Sequence, residues 1–237
     1  MFQVILWDID GTLLNFKMSE RYALRKCFSK FHLGDCTDDM IARYSVINTR
    51  FWRGLEAGIY TKPQVLQGRF EEFFHSEGIS FDQVSEFNDE YQLRLGDEAF
   101  FNDNGKELIQ KLKGKIRQCA VTNGTTIAQE RKLRQSGLDT LLDDIFISEK
   151  VGTEKPGIGF FEHVWEVIGD YPKEEILIIG DSLTSDIQGG NNAQIPCCWY
   201  NPDKMVNDRN LRIDYEIRNL WEIEKILNIN YNFSESQ

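Results

Sequence analysis

The chain has 237 residues, 41% hydrophobic and 12% aromatic, enough apolar surface to bury a sizeable core, which excludes a disordered or low-complexity protein. Its 27 basic and 38 acidic residues sum to −11, which disfavours a nucleic-acid polymer as partner, because that binding rests on Lys and Arg neutralising phosphates. No apolar run approaches the ~20 residues needed to span a bilayer, so no membrane partner is expected.

From Met1 the chain runs straight into Val4-Ile5-Leu6, with no cationic segment ahead and no small-residue cleavage site behind, which reads as a strand and not a signal peptide. At its carboxyl end comes Asp8-Ile9-Asp10-Gly11-Thr12. Alternate residues of a strand point to opposite faces, so both carboxylates serve one site only if the backbone turns there, and Gly11 permits the turn.

Between Asn15 and Gly96 only helical patterns occur. Ala23, Cys27 and Phe31 with Leu24 and Phe28 share one helix face, as do Leu66, Phe70, Phe73 and Phe74, and Thr61 with Gln64 has capping-box spacing. Residues 15–96 are therefore expected to form a helical cap domain, and residues 1–14 with 97–237 the core. Asn48, Trp52, Arg53 and Tyr60 of this segment are not assigned to the site, since aromatic residues on amphipathic helices usually belong to a core.

Sheet-type alternation resumes near Phe101. Cys119-Ala120-Val121, Ile145-Phe146-Ile147, Ile176-Leu177-Ile178-Ile179 and Ile195-Pro196-Cys197-Cys198-Trp199 read as strands covered on both faces, and helices are expected over 106–113, 127–135, 160–168 and 187–193. The fold class is α/β: a Rossmann-like parallel sheet with helices on both faces and the inserted all-helical cap. The cap would lie beyond the carboxyl ends of the strands, where open parallel sheets bind ligands.

Chemistry gathers at those strand ends. Thr122 in Val121-Thr122-Asn123-Gly124 offers a hydroxyl, beside backbone N–H groups that suit a phosphate oxygen, and Lys155 in Glu154-Lys155-Pro156-Gly157 offers a point charge. In Gly180-Asp181-Ser182-Leu183-Thr184-Ser185-Asp186, Asp181 sits at the strand end, whereas Asp186 also fits the first turn of a helix capped by Thr184 or Ser185. Asp8, Asp10 and Asp181 brought together would repel one another unless a cation compensated. All-oxygen ligands without a His or Cys cluster suit Mg²⁺. His32, His75 and His163 are scattered and receive no role. Cys27, Cys36, Cys119, Cys197 and Cys198 show no metal-type spacing, so reduced, buried thiols and a cytoplasmic location are expected. The polar tail, Asn232 to Gln237, is expected to fray.

The order Asp8-x-Asp10-Gly11-Thr12, Thr122, Lys155-Pro156 and Gly180-Asp181-Ser182-x-x-x-Asp186 resembles the haloacid dehalogenase-like hydrolase superfamily over essentially the whole chain, and the insert falls where its helical-cap subgroup carries the cap. Thr122-Asn123-Gly124, Ser148-Glu149-Lys150-Val151-Gly152 with Lys155-Pro156, and Ser185-Asp186-Ile187-Gln188-Gly189-Gly190 look most like the pyrimidine 5′-nucleotidase branch. Gln194 departs from that pattern, standing where relatives usually carry Gly after Asn-Ala, which bears on turn geometry rather than chemistry.

The resemblance implies a Mg²⁺-dependent phosphomonoester hydrolase acting on a small phosphorylated metabolite, a nucleoside 5′-monophosphate by the narrower match. Asp8 would attack phosphorus in line and become an aspartyl phosphate, while Asp10, protonated in a buried setting, would donate to the leaving oxygen and later activate water. Thr122, Asn123 and Lys155 would bind the phosphate. Asp8, the Asp10 backbone carbonyl and Asp181 would hold the metal, with Asp186 behind them orienting Lys155 or a water on the metal. A sugar-phosphate phosphatase or a phosphomutase would use the same residues. Dehalogenation needs neither Asp10 nor Asp181, and a non-catalytic phosphate-binding protein would be expected to lack one of the acids.

Overall fold

Every residue of the first strand, β1 (Val4–Trp7), is buried, as an unalternating apolar run requires. The computed structural model describes residues 1–228, and the tail expected to fray lies outside them. After β1 come four helices, α1 (Phe16–Lys30), α2 (Asp38–Glu56), α3 (Lys62–Ser76) and α4 (Val84–Arg94). The chain then alternates through α5 (Gly105–Leu112), β2 (Arg117–Thr122), α6 (Thr126–Ser136), β3 (Asp144–Ile147), the short α7 (Ser148–Val151), α8 (Ile158–Ile168), β4 (Ile176–Gly180), α9 (Gln188–Ala193), β5 (Cys197–Tyr200), β6 (Tyr215–Ile217) and α10 (Ile223–Ile226).

The strands form one six-stranded sheet in the order β3-β2-β1-β4-β5-β6, every pair parallel. Its two faces bury alternate residues. Ile5, Trp7, Ala120, Leu177 and Ile179 pack with Leu108, Ile109 and Leu112 of α5, whereas Val4, Leu6, Val121, Ile176 and Ile178 pack with Phe160, Phe161 and Val164 of α8. The α/β class follows from that double coverage. The edge strand β6 was not foreseen: two of its three residues are exposed, so no apolar run announces it.

The helices α1 to α4 have a core of their own, built on Leu24, Phe28, Tyr44, Phe70, Phe73, Phe87 and Tyr91. Ala128 of α6 joins it, so this layer packs onto the sheet side through α6. Thr61 opens α3 with the expected capping geometry, its N–H donating to Gln64 Oε1 at 2.9 Å. On α3 the structure buries Phe70, Phe73 and Phe74 as expected, while Val65 is buried in place of Leu66, which is half-buried. Tyr60 stacks on Phe51 at 5.1 Å, a packing role. All five cysteines are free and buried. Among the described residues no helix is long and apolar enough to cross a membrane.

Candidate active site at the strand ends

β1 delivers Asp8 to its carboxyl end, and the backbone then turns, with Gly11 at φ +100° and Leu14 N–H donating to Ile9 O at 2.8 Å. The turn brings Asp10 to the same side as Asp8, and both line one cavity of about 490 Å³. Gly11 serves a second purpose. A Cβ there would stand 2.6 Å from the Asp181 carboxylate oxygens, so only glycine lets the loop after β4 approach the turn after β1.

Thr12 joins the two loops. Its hydroxyl lies 3.0 Å from Asp8 Oδ2 and 3.2 Å from Asp181 Oδ1, and it accepts from Asp181 N–H at 3.0 Å. A hydroxyl has one proton, so it satisfies only one of the two carboxylates at a time. Burial pushes the Asp8 carboxyl up to about 7, with the Asp186 charge adding and Lys155 opposing. Burial, then the charges of Asp8 and Asp186, holds Asp181 well above the usual carboxylate range.

Lys155 is fully buried and spends its ammonium on Asp186 Oδ1 at 2.6 Å, Val121 O at 2.7 Å and Asp8 Oδ1 at 2.9 Å. Burial by itself would lower its pKa, but the Asp186 and Asp8 carboxylates outweigh that and raise it. With three partners already in place, its charge reaches the cavity through Asp8. Asn123 fixes the Lys155 backbone, its Nδ2 donating to Lys155 O at 2.7 Å and its Oδ1 accepting from Lys155 N–H at 2.8 Å. The Asn123 side chain thus spends one of its two N–H donors on Lys155, and the residue lines the cavity. Thr122 Oγ1 accepts from Gly124 N–H at 3.2 Å.

The segment after Asp181 is a single π-helical turn, Leu183–Ile187, followed by α9. Its cap is Ser182, whose Oγ accepts from Ser185 N–H at 3.1 Å; Thr184 and Ser185 were the caps expected. Asp186 faces inward, accepting from Lys155 and from Ser182 N–H at 3.0 Å. Asp8, Asp181 and Asp186 offer carboxylate oxygens within 4.8 Å of one another. Both oxygens of Asp186 accept, from Lys155 and Ser182, and both of Asp8 accept, from Lys155 and Thr12, whereas Asp181 is approached by the Thr12 hydroxyl at Oδ1 alone. Buried oxygen donors, and two carboxyls raised first by burial and then by neighbouring carboxylates, fit a hard divalent cation.

All seven residues singled out in the sequence, Asp8, Asp10, Thr122, Asn123, Lys155, Asp181 and Asp186, line the one cavity. Asn48, Trp52 and Arg53 of α2 line it too, while none of the three histidines does. Three lining residues carried no sequence signal. Gln129 and Lys132 of α6 each donate to Asp10, and only their place on the buried stripe of that helix, beside Ala128 and Leu133, distinguishes them. Glu56, at the end of α2, is pushed up to about 7 by burial, with a hydrogen bond to Thr184 opposing.

The family model for haloacid dehalogenase-like hydrolase matches residues 2–194. The HAD-hydrolase YfnB of Bacillus subtilis is 38% identical over 96% of both chains. Its magnesium-bound crystal structure superposes with a TM-score of 0.90 at 37% identity, covering 96% of this chain and 99% of that one. The pyrimidine 5′-nucleotidase PynA of Streptococcus pneumoniae is 33% identical over 97% of this chain and 96% of its own. The pyrimidine 5′-nucleotidase YjjG of Escherichia coli is 26% identical over 94% and 96%.

Proposed function

The chain belongs to the haloacid dehalogenase-like hydrolase family, and from that premise we propose that it hydrolyses phosphomonoesters with Asp8 as nucleophile and Mg²⁺ held by Asp8, Asp181 and the Asp10 backbone carbonyl. One observation carries this reading: a single hydroxyl, that of Thr12, lies 3.0 Å from Asp8 and 3.2 Å from Asp181, so acids from two distant segments meet at one point.

An Asp8 oxygen forms a bond to phosphorus as the ester P–O bond breaks, and its electron pair departs on the leaving oxygen, which takes a proton from Asp10. Water then attacks the phosphorus of the aspartyl phosphate, Asp10 takes the proton, and Asp8 returns as a carboxylate. Lys155 holds Asp8 in place and keeps the nucleophile's charge tolerable in a buried setting. The Thr122 hydroxyl and the backbone amide of Asn123 receive phosphoryl oxygens. When bound, the cation neutralises phosphoryl charge and relieves the repulsion between Asp8 and Asp181. The helices α1 to α4 act as the cap, excluding water from the cavity.

The substrate is a nucleoside 5′-monophosphate with a pyrimidine base. The two nucleotidase relatives support this, as does a cavity that extends from the strand ends to Phe16, Asn48, Trp52 and Gln92, side chains suited to a ring with polar edges. Phosphate release should be measured from pyrimidine nucleotides, purine nucleotides and ribose 5-phosphate, with Mg²⁺ or EDTA. Pyrimidine nucleotides should lead, EDTA should stop turnover, and Asp8→Asn should be inactive yet folded. A sugar phosphate preferred over every nucleotide would overturn the substrate, and an active Asp8→Asn the chemistry.

A further inference from the structure

Two polar side chains of α6 have no part in that reaction, and both end on Asp10. Lys132 Nζ donates to Asp10 Oδ1 at 2.6 Å and Gln129 Nε2 donates to Oδ2 at 2.6 Å. Each donor is 1% exposed, whereas the Asp10 side chain is 22% exposed and lines the cavity. Burying an ammonium and a primary amide is costly, and an apolar pair would fill the same helix face without that cost. What an apolar pair would not supply is two donors on two separate oxygens of one carboxylate.

That pairing fixes a torsion. The terminal torsion of an aspartate has broad minima, so an unsupported carboxylate plane swings freely. Donors three residues apart on one helix, one to each oxygen, stop the swing. A carboxylate oxygen has two acceptor sites, so each keeps one for the cavity. The clamp is itself braced: the Lys132 ammonium lies 5.0 Å from the centre of the Phe16 ring at the start of α1, and a Cβ on Gly124 would stand 2.1 Å from Gln129 Nε2. The helical layer and the loop after β2 thus hold the two donors from either side.

We propose that Lys132 and Gln129 are positioning residues that orient the Asp10 carboxyl so that its proton points at the ester oxygen, an inference that rests on the proton role given to Asp10 above. The proton passes from Asp10 to the leaving oxygen, which keeps the P–O electron pair, and Asp10 regains one from the attacking water. Lys132 and Gln129 exchange no proton.

The test compares kcat/KM, which reports the steps through loss of the leaving group, on a nucleoside 5′-monophosphate or ribose 5-phosphate and on 2,4-dinitrophenyl phosphate, whose leaving group departs without protonation. Misplacing an acid by about 1 Å can cost on the order of 100-fold, so Lys132→Met should lose roughly 10- to 100-fold more on the alkyl ester than on the aryl ester. Lys132→Arg should recover part of that difference. A merely structural role would lower both substrates alike, and equal losses or no loss would overturn the proposal. Should Lys132→Met fail to fold by circular dichroism, Gln129→Leu decides by the same ratio. Asp10→Asn runs beside them: without a selective loss there, the proton role falls and the clamp with it. A selective loss in Asp10→Asn alone removes only the clamp.

Discussion

Lys155 Nζ lies 2.9 Å from Asp8 Oδ1, and the same ammonium, buried completely, is 2.6 Å from Asp186. It is wedged between the nucleophile and a second carboxylate, each of which would otherwise be a buried charge without a counter-ion. Removing one member of such a group costs on the order of 3–5 kcal/mol. Lys155→Met should therefore lower the free energy of unfolding in urea by an amount of that size and cut turnover at least about 100-fold. Equilibrium unfolding and phosphate release read the two effects separately. A variant as stable as the parent would mean that Asp8 and Asp186 are neutralised elsewhere.

The carboxyls of the site also set a pH dependence with an unusual sign. Asp8 is raised from 3.8 to about 7 and Glu56 from 4.5 to about 7, both by burial first. Between the ordinary and the raised values the folded chain binds more protons than the unfolded one, so stability falls as pH rises through that interval. In EDTA the melting temperature should drop from pH 5.5 to pH 7.5. Saturating Mg²⁺ should shrink the drop, because a cation takes over from the protons at Asp8. A metal-free melting temperature that rises over the same range would contradict the crowded arrangement.

Much of this site was readable in the chain because its chemistry sits at strand ends, where short apolar runs announce themselves and the next polar residue is placed by the strand. Asp8 and Asp181 follow β1 and β4 in that way, and Thr122 ends β2. Asp186 was harder, since the dipole and the cavity both favour an acid there, and only the π-turn after Ser182 turns it inward onto Lys155. Lys132 and Gln129 were illegible for a different reason. On a helix, a buried Lys is written like an exposed one, and its partner Asp10 lies 122 residues away. The edge strand β6 escaped because a strand lying half in water needs no apolar run.

Asp181 tests the metal without relying on activity. Its carboxyl is held high by burial and by Asp8 and Asp186, so the metal-free fold bears a repulsion that a neutral amide would remove. Asp181→Asn in EDTA should melt above the parent, by roughly 2–4 °C for each kcal/mol relieved at this chain length. Mg²⁺ should raise the melting temperature of the parent, as a ligand of the native state does, and leave the variant nearly unmoved. An unchanged Mg²⁺ response in Asp181→Asn would place the cation elsewhere.

Gln194 offers a gain in stability away from the chemistry. It ends α9 in the left-handed region at φ 59° and ψ 34°, with its N–H on Asn191 O, so the glycine geometry of the turn is kept without the glycine. A side chain in that region costs roughly 1–2 kcal/mol, and glycine in the unfolded chain gives back about half of it. Gln194 is exposed and lies outside the cavity lining, so nothing else is lost with its side chain. Gln194→Gly should therefore stabilise by about 0.5–1 kcal/mol, a rise of roughly 1–4 °C in melting temperature, with kcat and KM unaltered. Calorimetry on the two proteins decides it: a lower melting temperature for the glycine variant would show that the Gln194 side chain contributes more than its backbone conformation costs.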